Sequence, residues 1–136
     1  MACELCSDVG GELLWQGEQY RIVYIDHPGY PGYCRVIWHA HVKEMTDLAG
    51  DERARLLQAV FAVETIVRSL LHPEKVNLAC LGNMTPHLHW HVIPRFKDDP
   101  HFPQPIWGAE QRAAARTAAP GLAAAIAERL SAAGLR

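Results

Sequence analysis

The segment Pro86-His87-Leu88-His89-Trp90-His91-Val92-Ile93-Pro94 constrains this chain more than any other part of it. Histidines alternate with Leu88, Trp90 and Val92, which is the period of a strand with one buried face. On such a strand His87, His89 and His91 share one side, and the three apolar residues point into a core on the other. An imidazole near neutral pH offers a nitrogen as nucleophile, acid, base or metal ligand. At the rise of a strand the three rings spread over roughly 13 Å. A single tetrahedral zinc would struggle to collect all three. Separate roles for rings on a common face suit the spacing better.

The rest of the chain supplies a frame for that strand. Its 136 residues are one domain's worth and enough to bury a core. Runs at 12–15 and 20–25, separated by Gln16-Gly17-Glu18-Gln19, read as a hairpin. Residues 26–32 form a loop by their proline and glycine content, and a third strand follows at 34–38. Asp51 is placed to cap a helix in which Leu56, Val60, Val63, Val67 and Leu70 make one apolar face. Pro73 ends it. A strand at 76–81 leads through Gly82-Asn83 into the triad strand. Beyond Arg95, the prolines at 100, 103 and 105 exclude a central strand. Residues 109–133 are dominated by alanine and predict helix, interrupted at Pro120-Gly121. There Leu122, Ile126 and Leu130 make a stripe sufficient to dock a helix on a surface but too thin for a core element. Strands, helix, strands and tail in this order suit an α+β domain with an antiparallel sheet.

Composition narrows the partners. With 13 basic and 15 acidic residues the net charge is −2, which gives no electrostatic case for binding nucleic acid or a membrane surface. No apolar stretch approaches a bilayer's thickness. The amino terminus lacks the basic-then-apolar order of a secretory signal, so the cytoplasm is the expected location. A reducing compartment argues against disulfides among Cys3, Cys6, Cys34 and Cys80. Cys34 and Cys80 lie in apolar runs and are expected to be buried free thiols. Cys3-x-x-Cys6 is by itself half a metal site.

His-x-His-x-His with apolar intervening residues resembles the signature of the histidine-triad (HIT) proteins, which hydrolyse or transfer nucleotides. The likeness runs from Cys3-x-x-Cys6 to about Trp107, and Leu81-Gly82-Asn83-Met84-Thr85-Pro86 looks like a bacterial branch of that family. The resemblance implies a HIT-like antiparallel sheet of about five strands with one long helix packed on it, residues 1–108 forming the HIT domain. Residues 109–136 would then be a C-terminal helical extension of the same domain. It also implies attack on the α-phosphorus of a purine nucleotide conjugate, either a nucleoside phosphoramidate or a dinucleoside polyphosphate.

Carried over by position, His89 would be the nucleophile. A neutral ring nitrogen can attack phosphorus, and the labile phosphoramidate splits one hard displacement into two easier ones. His91 would hydrogen-bond the phosphate or serve the leaving group, and His87 would orient the others. Gly82 and Asn83, standing where many members have Gly-Gln, would donate to phosphate oxygens, and Asn77 matches a second asparagine near the phosphate. Asp26 matches the acidic residue that pairs with ribose hydroxyls. Some members complete a Cys-x-x-Cys with two histidines, which here are His41 and His87. That Cys2His2 set would hold a structural zinc, with no cofactor required for the chemistry, and the sequence leaves bound zinc open. Tyr33 stands where the family commonly has histidine, so that residue's role does not carry over. The resemblance implies a homodimer that extends the sheet. A nucleotide-binding protein with little turnover and a zinc-binding structural module remain as alternatives. An assay with a model phosphoramidate tests the first, and metal analysis the second.

Overall fold

A computed structural model describes residues 2–136. A short helix α1 (Glu4–Ser7) precedes the hairpin β1 (Glu12–Gln16) and β2 (Tyr20–Tyr24), then β3 (Cys34–Trp38), the long helix α2 (Gly50–Leu71), β4 (Lys75–Ala79), β5 (His89–Arg95) and α3 (Leu122–Ser131). The five strands form one sheet in the order β1-β2-β3-β5-β4. Every neighbouring pair is antiparallel. The α+β class expected from the sequence is the one observed.

The two faces of the sheet carry different cargo. Val36 lies opposite Trp90, Cys34 and Leu78 opposite Val92, and Ile22 opposite Val36. These residues, with Leu88, pack against Leu56, Ala59, Val60, Val63, Ile66 and Val67 of α2 as the main core. The alternate set shares the other face, where Arg35 lies opposite His91, Ile37 opposite His89, and Asn77 opposite Ile93. Patches of core close parts of this second face: Leu5 with Val23 and Ile37, and Tyr30 and Tyr33 with Ile93 and Ile106.

Several boundaries differ from the sequence reading for identifiable reasons. Helix α2 begins before Asp51 because the Glu52 carboxylate, at 2.7 Å, accepts the backbone N–H of Ala49. The cap position thus falls at Ala49, two residues ahead of the one expected at Asp51, which lies inside the first turn. The helix ends as anticipated at Pro73, with His72 in the left-handed conformation (φ 49°) and its N–H returned to Arg68. Strand β5 starts at His89 rather than His87, because Leu88 donates to the carbonyl of Val42 instead of to a neighbouring strand. Cys34 is fully buried and its thiol is pushed up to about 12 by burial, whereas Cys80 is only half-buried.

The largest correction concerns the tail. Residues 109–119 are not helical despite their alanines, and all of them are exposed. Propensity alone does not hold a short helix in water without an apolar face to bury, and this stretch has none. It runs as a strap tied down at its basic residues. Arg112 donates to the carbonyls of Asp99 and Phe102, and Arg116 pairs with Asp98 while stacking 4.0 Å over Phe96. Beyond Gly121 the helix forms, and Leu122, Ile126 and Leu130 enter the main core rather than resting on a surface. Ile126 and Leu130 are wholly buried. Three residues suffice because α3 fills the space between α2 and the edge strand β1 of its own chain.

Gly32 illustrates how tightly the loop after β2 is fitted. Its φ is +87°, and a Cβ there would come within 2.4 Å of the Leu71 side chain. The Tyr24 hydroxyl accepts its N–H at 3.0 Å. Only glycine fits both conditions.

Candidate active site

Strand β5 turns His89 and His91 to the face away from α2, with ring centroids 4.9 Å apart. Both rings are buried, at 7% and 4% exposure. Nδ1 of His89 lies 2.6 Å from the backbone carbonyl of His87. A carbonyl only accepts, so Nδ1 carries the proton and Nε2 keeps its lone pair. Burial holds the pKa of His89 down, and the charge of Arg35 adds to it against the hydrogen bond to His87. His89 is therefore a neutral imidazole with one free basic nitrogen.

His91 is fixed in the opposite tautomer. The Tyr33 hydroxyl lies 2.7 Å from its Nδ1, and Arg35 approaches the same hydroxyl at 3.5 Å. Arginine can only donate. The arrangement that uses every proton has Tyr33 accepting from Arg35 and donating to His91, so the free Nε2 of His91 carries hydrogen. Burial, then the charges of Arg35 and His89, lower its pKa to about 3. The pair thus presents a nucleophilic nitrogen beside a neutral N–H donor. Trp107 closes the edge of His91 at 4.9 Å between ring centroids.

Trp107 is delivered by the 96–108 loop, which is anchored on one ion pair. Asp99, with no solvent exposure, accepts from Arg95 at 2.8 and 3.0 Å and from the backbone N–H groups of Phe96, His101 and Phe102. Burial alone would raise its pKa, but the Arg95 bonds and these amides bring it down to about 2. Arg95 also donates to the Asn77 side-chain oxygen at 2.8 Å. Asn77 therefore has its Nδ2 donor left, in a groove of about 620 Å³ that it lines with Ala79, Phe102 and Trp107.

His87 sits apart from this pair. Its ring meets Cys3, Cys6 and His41, and the four ligand atoms lie within 4.8 Å of one another. Nδ1 of His87 is 3.3 Å from the Cys3 sulfur and 3.5 Å from that of Cys6, and the two Nδ1 atoms of His41 and His87 are 3.3 Å apart. A tetrahedral zinc with ordinary bond lengths implies S···N edges of about 3.6 Å and an N···N edge of about 3.3 Å. The residues fit. Nε2 of His87 lies 2.6 Å from the Trp38 carbonyl, which places the ring proton there and aims the Nδ1 lone pair at the sulfurs. The structure brings together Cys3, Cys6, His41 and His87, the four residues that the resemblance grouped as one possible metal set.

The remaining expected residues are more scattered. Asp26 is exposed in the loop after β2 and lines a cavity of about 180 Å³ with His27, Tyr30 and the strap residues Ala114, Arg116, Thr117 and Ala118, which neither His89 nor His91 lines. Gly82 has a φ of +90° on the turn before the triad, and Asn83 is exposed, with no side-chain hydrogen bond among the described residues. Sequence reasoning did not find Arg35 or Trp107, and it treated Tyr33 only as a departure. Their signal was faint: Tyr33 and Arg35 alternate in phase with the triad only once the β3–β5 register is known.

The profile of the HIT domain matches residues 9–98, and the chain belongs to the HIT family. Among proteins of known function it is 27% identical over 110 residues to AP-4-A phosphorylase of Mycobacterium tuberculosis. That match covers 76% of this chain but only 56% of the relative. A histidine triad protein of Sinorhizobium meliloti shares the fold at a TM-score of 0.74 with 25% identity, covering 89% of this chain and 90% of its own. One from Marinobacter aquaeolei gives 0.73 at 23% identity, with 98% and 94% covered. A Zn-bound histidine triad family protein from Mycobacterium smegmatis gives 0.65 at 21% identity, with 97% and 98% covered. No helix among the described residues is long and apolar enough to cross a membrane.

Proposed function

We infer that this protein is a nucleotide hydrolase or transferase that attacks the α-phosphate of a nucleotide conjugate through a covalent nucleotidyl-His89 intermediate. The observation that carries the reading is the 2.6 Å contact from His89 Nδ1 to the His87 carbonyl, which leaves Nε2 free beside the His91 donor. The Nε2 lone pair forms the N–P bond as the bond from phosphorus to the leaving group breaks, its electron pair going to the leaving group. A nucleotide departing from a dinucleoside polyphosphate leaves as an anion and needs no proton. The ring becomes cationic, and the His87 carbonyl already faces its N–H. Water then breaks the N–P bond, releasing the nucleotide and one proton and restoring neutral His89. His91 Nε2–H donates to the phosphate or the leaving atom during both displacements.

The dinucleoside polyphosphate class draws support from the AP-4-A phosphorylase relative. A nucleoside phosphoramidate suits the same attack once its bridging nitrogen has taken a proton from solvent, so that it departs as a neutral amine. Asn77 Nδ2, Gly82 N–H and Asn83 are assigned to phosphate oxygens and Asp26 to the ribose hydroxyls. Cys3, Cys6, His41 and His87 would hold a structural zinc, a reading supported by their geometry and by the Zn-bound relative. Such an ion supplies cross-linking between α1 and the segment before β5, and none of the chemistry. A homodimer joined at β4 suits a sheet whose other edge, β1, is packed against α3. Cysteines kept reduced, two as zinc ligands and two as packed thiols, suit the cytoplasm.

Replacing His89 with alanine or asparagine is expected to lower turnover by about 10⁴-fold or more, by analogy with other nucleophile knockouts. Brief reaction and acid quench of the wild-type protein should trap a nucleotidyl group on His89 by mass spectrometry. More than a tenth of wild-type rate in either variant would end the assignment.

A further inference from the structure

Arg35 is the one feature of the triad face that neither the resemblance nor the chain's own bonding explains. It stands on β3 directly opposite His91 in the antiparallel register. Its guanidinium lies 5.7 Å over the Tyr33 ring, and its side-chain bond to protein is the 3.5 Å contact with the Tyr33 hydroxyl. Its Nε is buried with no hydrogen-bond partner. Among the described residues no carboxylate forms an ion pair with it, whereas the equally central Arg95 is bound to Asp99. A half-buried cation without an anion is costly unless something else supplies the charge. The groups the structure sets nearest to it, the Tyr33 phenol and the His91 imidazole across the strand pair, carry no negative charge to balance it. The Arg35 charge reaches the facing imidazole, adding to the effect of burial in lowering the pKa of His91.

We propose that Arg35 is a substrate-binding residue that takes a non-bridging oxygen of the phosphate attacked by His89, so that the site selects a charged nucleotide over the corresponding nucleoside. The inference rests on the nucleotide reading of the same site and adds to it the cation that the triad lacks. The guanidinium is matched to a phosphate because its planar fork presents two N–H groups to two oxygens. Charge on those oxygens persists through the attack, and a fixed cation beside it stabilises the transition state without reorganisation. The contact from Arg35 to Tyr33 gives the same residue a second effect, since it favours the tautomer in which His91 also donates toward the phosphate.

The test compares AMP with adenosine, and GMP with guanosine, binding to full-length wild-type protein and to Arg35→Gln and Arg35→Lys by calorimetry. Loss of a charged hydrogen bond predicts that Arg35→Gln weakens nucleotide binding by about 10- to 100-fold. Nucleoside binding should change less than about twofold on the same grounds, since a nucleoside carries no charge to lose. Arg35→Lys should recover part of the nucleotide affinity, which a purely packing role would not allow. Equal losses for nucleotide and nucleoside, no loss for either, or a wild-type protein that binds neither nucleotide would each overturn the proposal. Should Arg35→Gln fail to fold, the lysine variant decides on the ratio of nucleotide to nucleoside affinity. A protein that shows the Arg35-dependent preference yet forms no adduct on His89 would sink the catalytic reading and leave this one standing.

Discussion

Replacing Asp99 with asparagine removes the charge that holds the 96–108 loop while preserving its shape. The carboxylate is fully buried and bonded to a guanidinium that is itself 3% exposed. Two routes give the magnitude. Asp99 has a pKa of about 2 in the folded protein against 3.8 as the ordinary value, and that difference corresponds to about 2.5 kcal/mol of stability at neutral pH. Removing one partner of a buried pair also strands the other, with typical totals of about 3–5 kcal/mol. The variant should therefore be about 3–5 kcal/mol less stable at pH 7 by urea unfolding. The direction of the pH effect follows from the lowered pKa. The contribution is complete above pH 3.8 and is lost as pH falls toward and below 2. The stability gap between wild type and variant should thus narrow by about 2 kcal/mol between pH 5 and pH 2. Using the difference cancels every group the two proteins share. Because this loop carries Trp107 to His91, turnover should fall even where the variant remains folded. A gap below about 1 kcal/mol at pH 7, or one that does not change with pH, would refute the reasoning.

Two further outcomes are expected. Purified protein should carry about one zinc per chain, and Cys6→Ser should lose it and unfold at lower temperature, both measured by metal analysis and calorimetry; equal stability with no metal in either protein would remove the site. Ile126→Ala should cost about 2–5 kcal/mol in urea unfolding, the range for a fully buried aliphatic side chain; a cost near zero would mean that α3 is not part of the core.

The histidine pattern was legible in the sequence because alternation is a local property of a strand. Whatever the tertiary context, Leu88, Trp90 and Val92 must face one way and His89 and His91 the other. The same holds for α2, whose apolar face was readable from spacing alone, and for its end at Pro73. The alanine-rich tail misled because propensity is weak wherever packing does not support it. Residues 109–119 had nothing to bury and became a strap, while the three-residue stripe of α3 found a gap between α2 and β1 and became core.

The sequence by itself determined that three imidazoles would share a face, and motif resemblance grouped two cysteines with two histidines. Only the tertiary structure decided how the imidazoles divide their work. Ending the ladder at His89 sends His87 to the sulfurs, and the protein acceptors at each ring set which nitrogen is free. The β3–β5 register then brings Arg35 opposite His91, and a buried ion pair sixty residues further along the chain folds Trp107 onto its edge. Such partners are distant in sequence and carry no periodicity of their own. A pairing of that kind exists only once the strands have met.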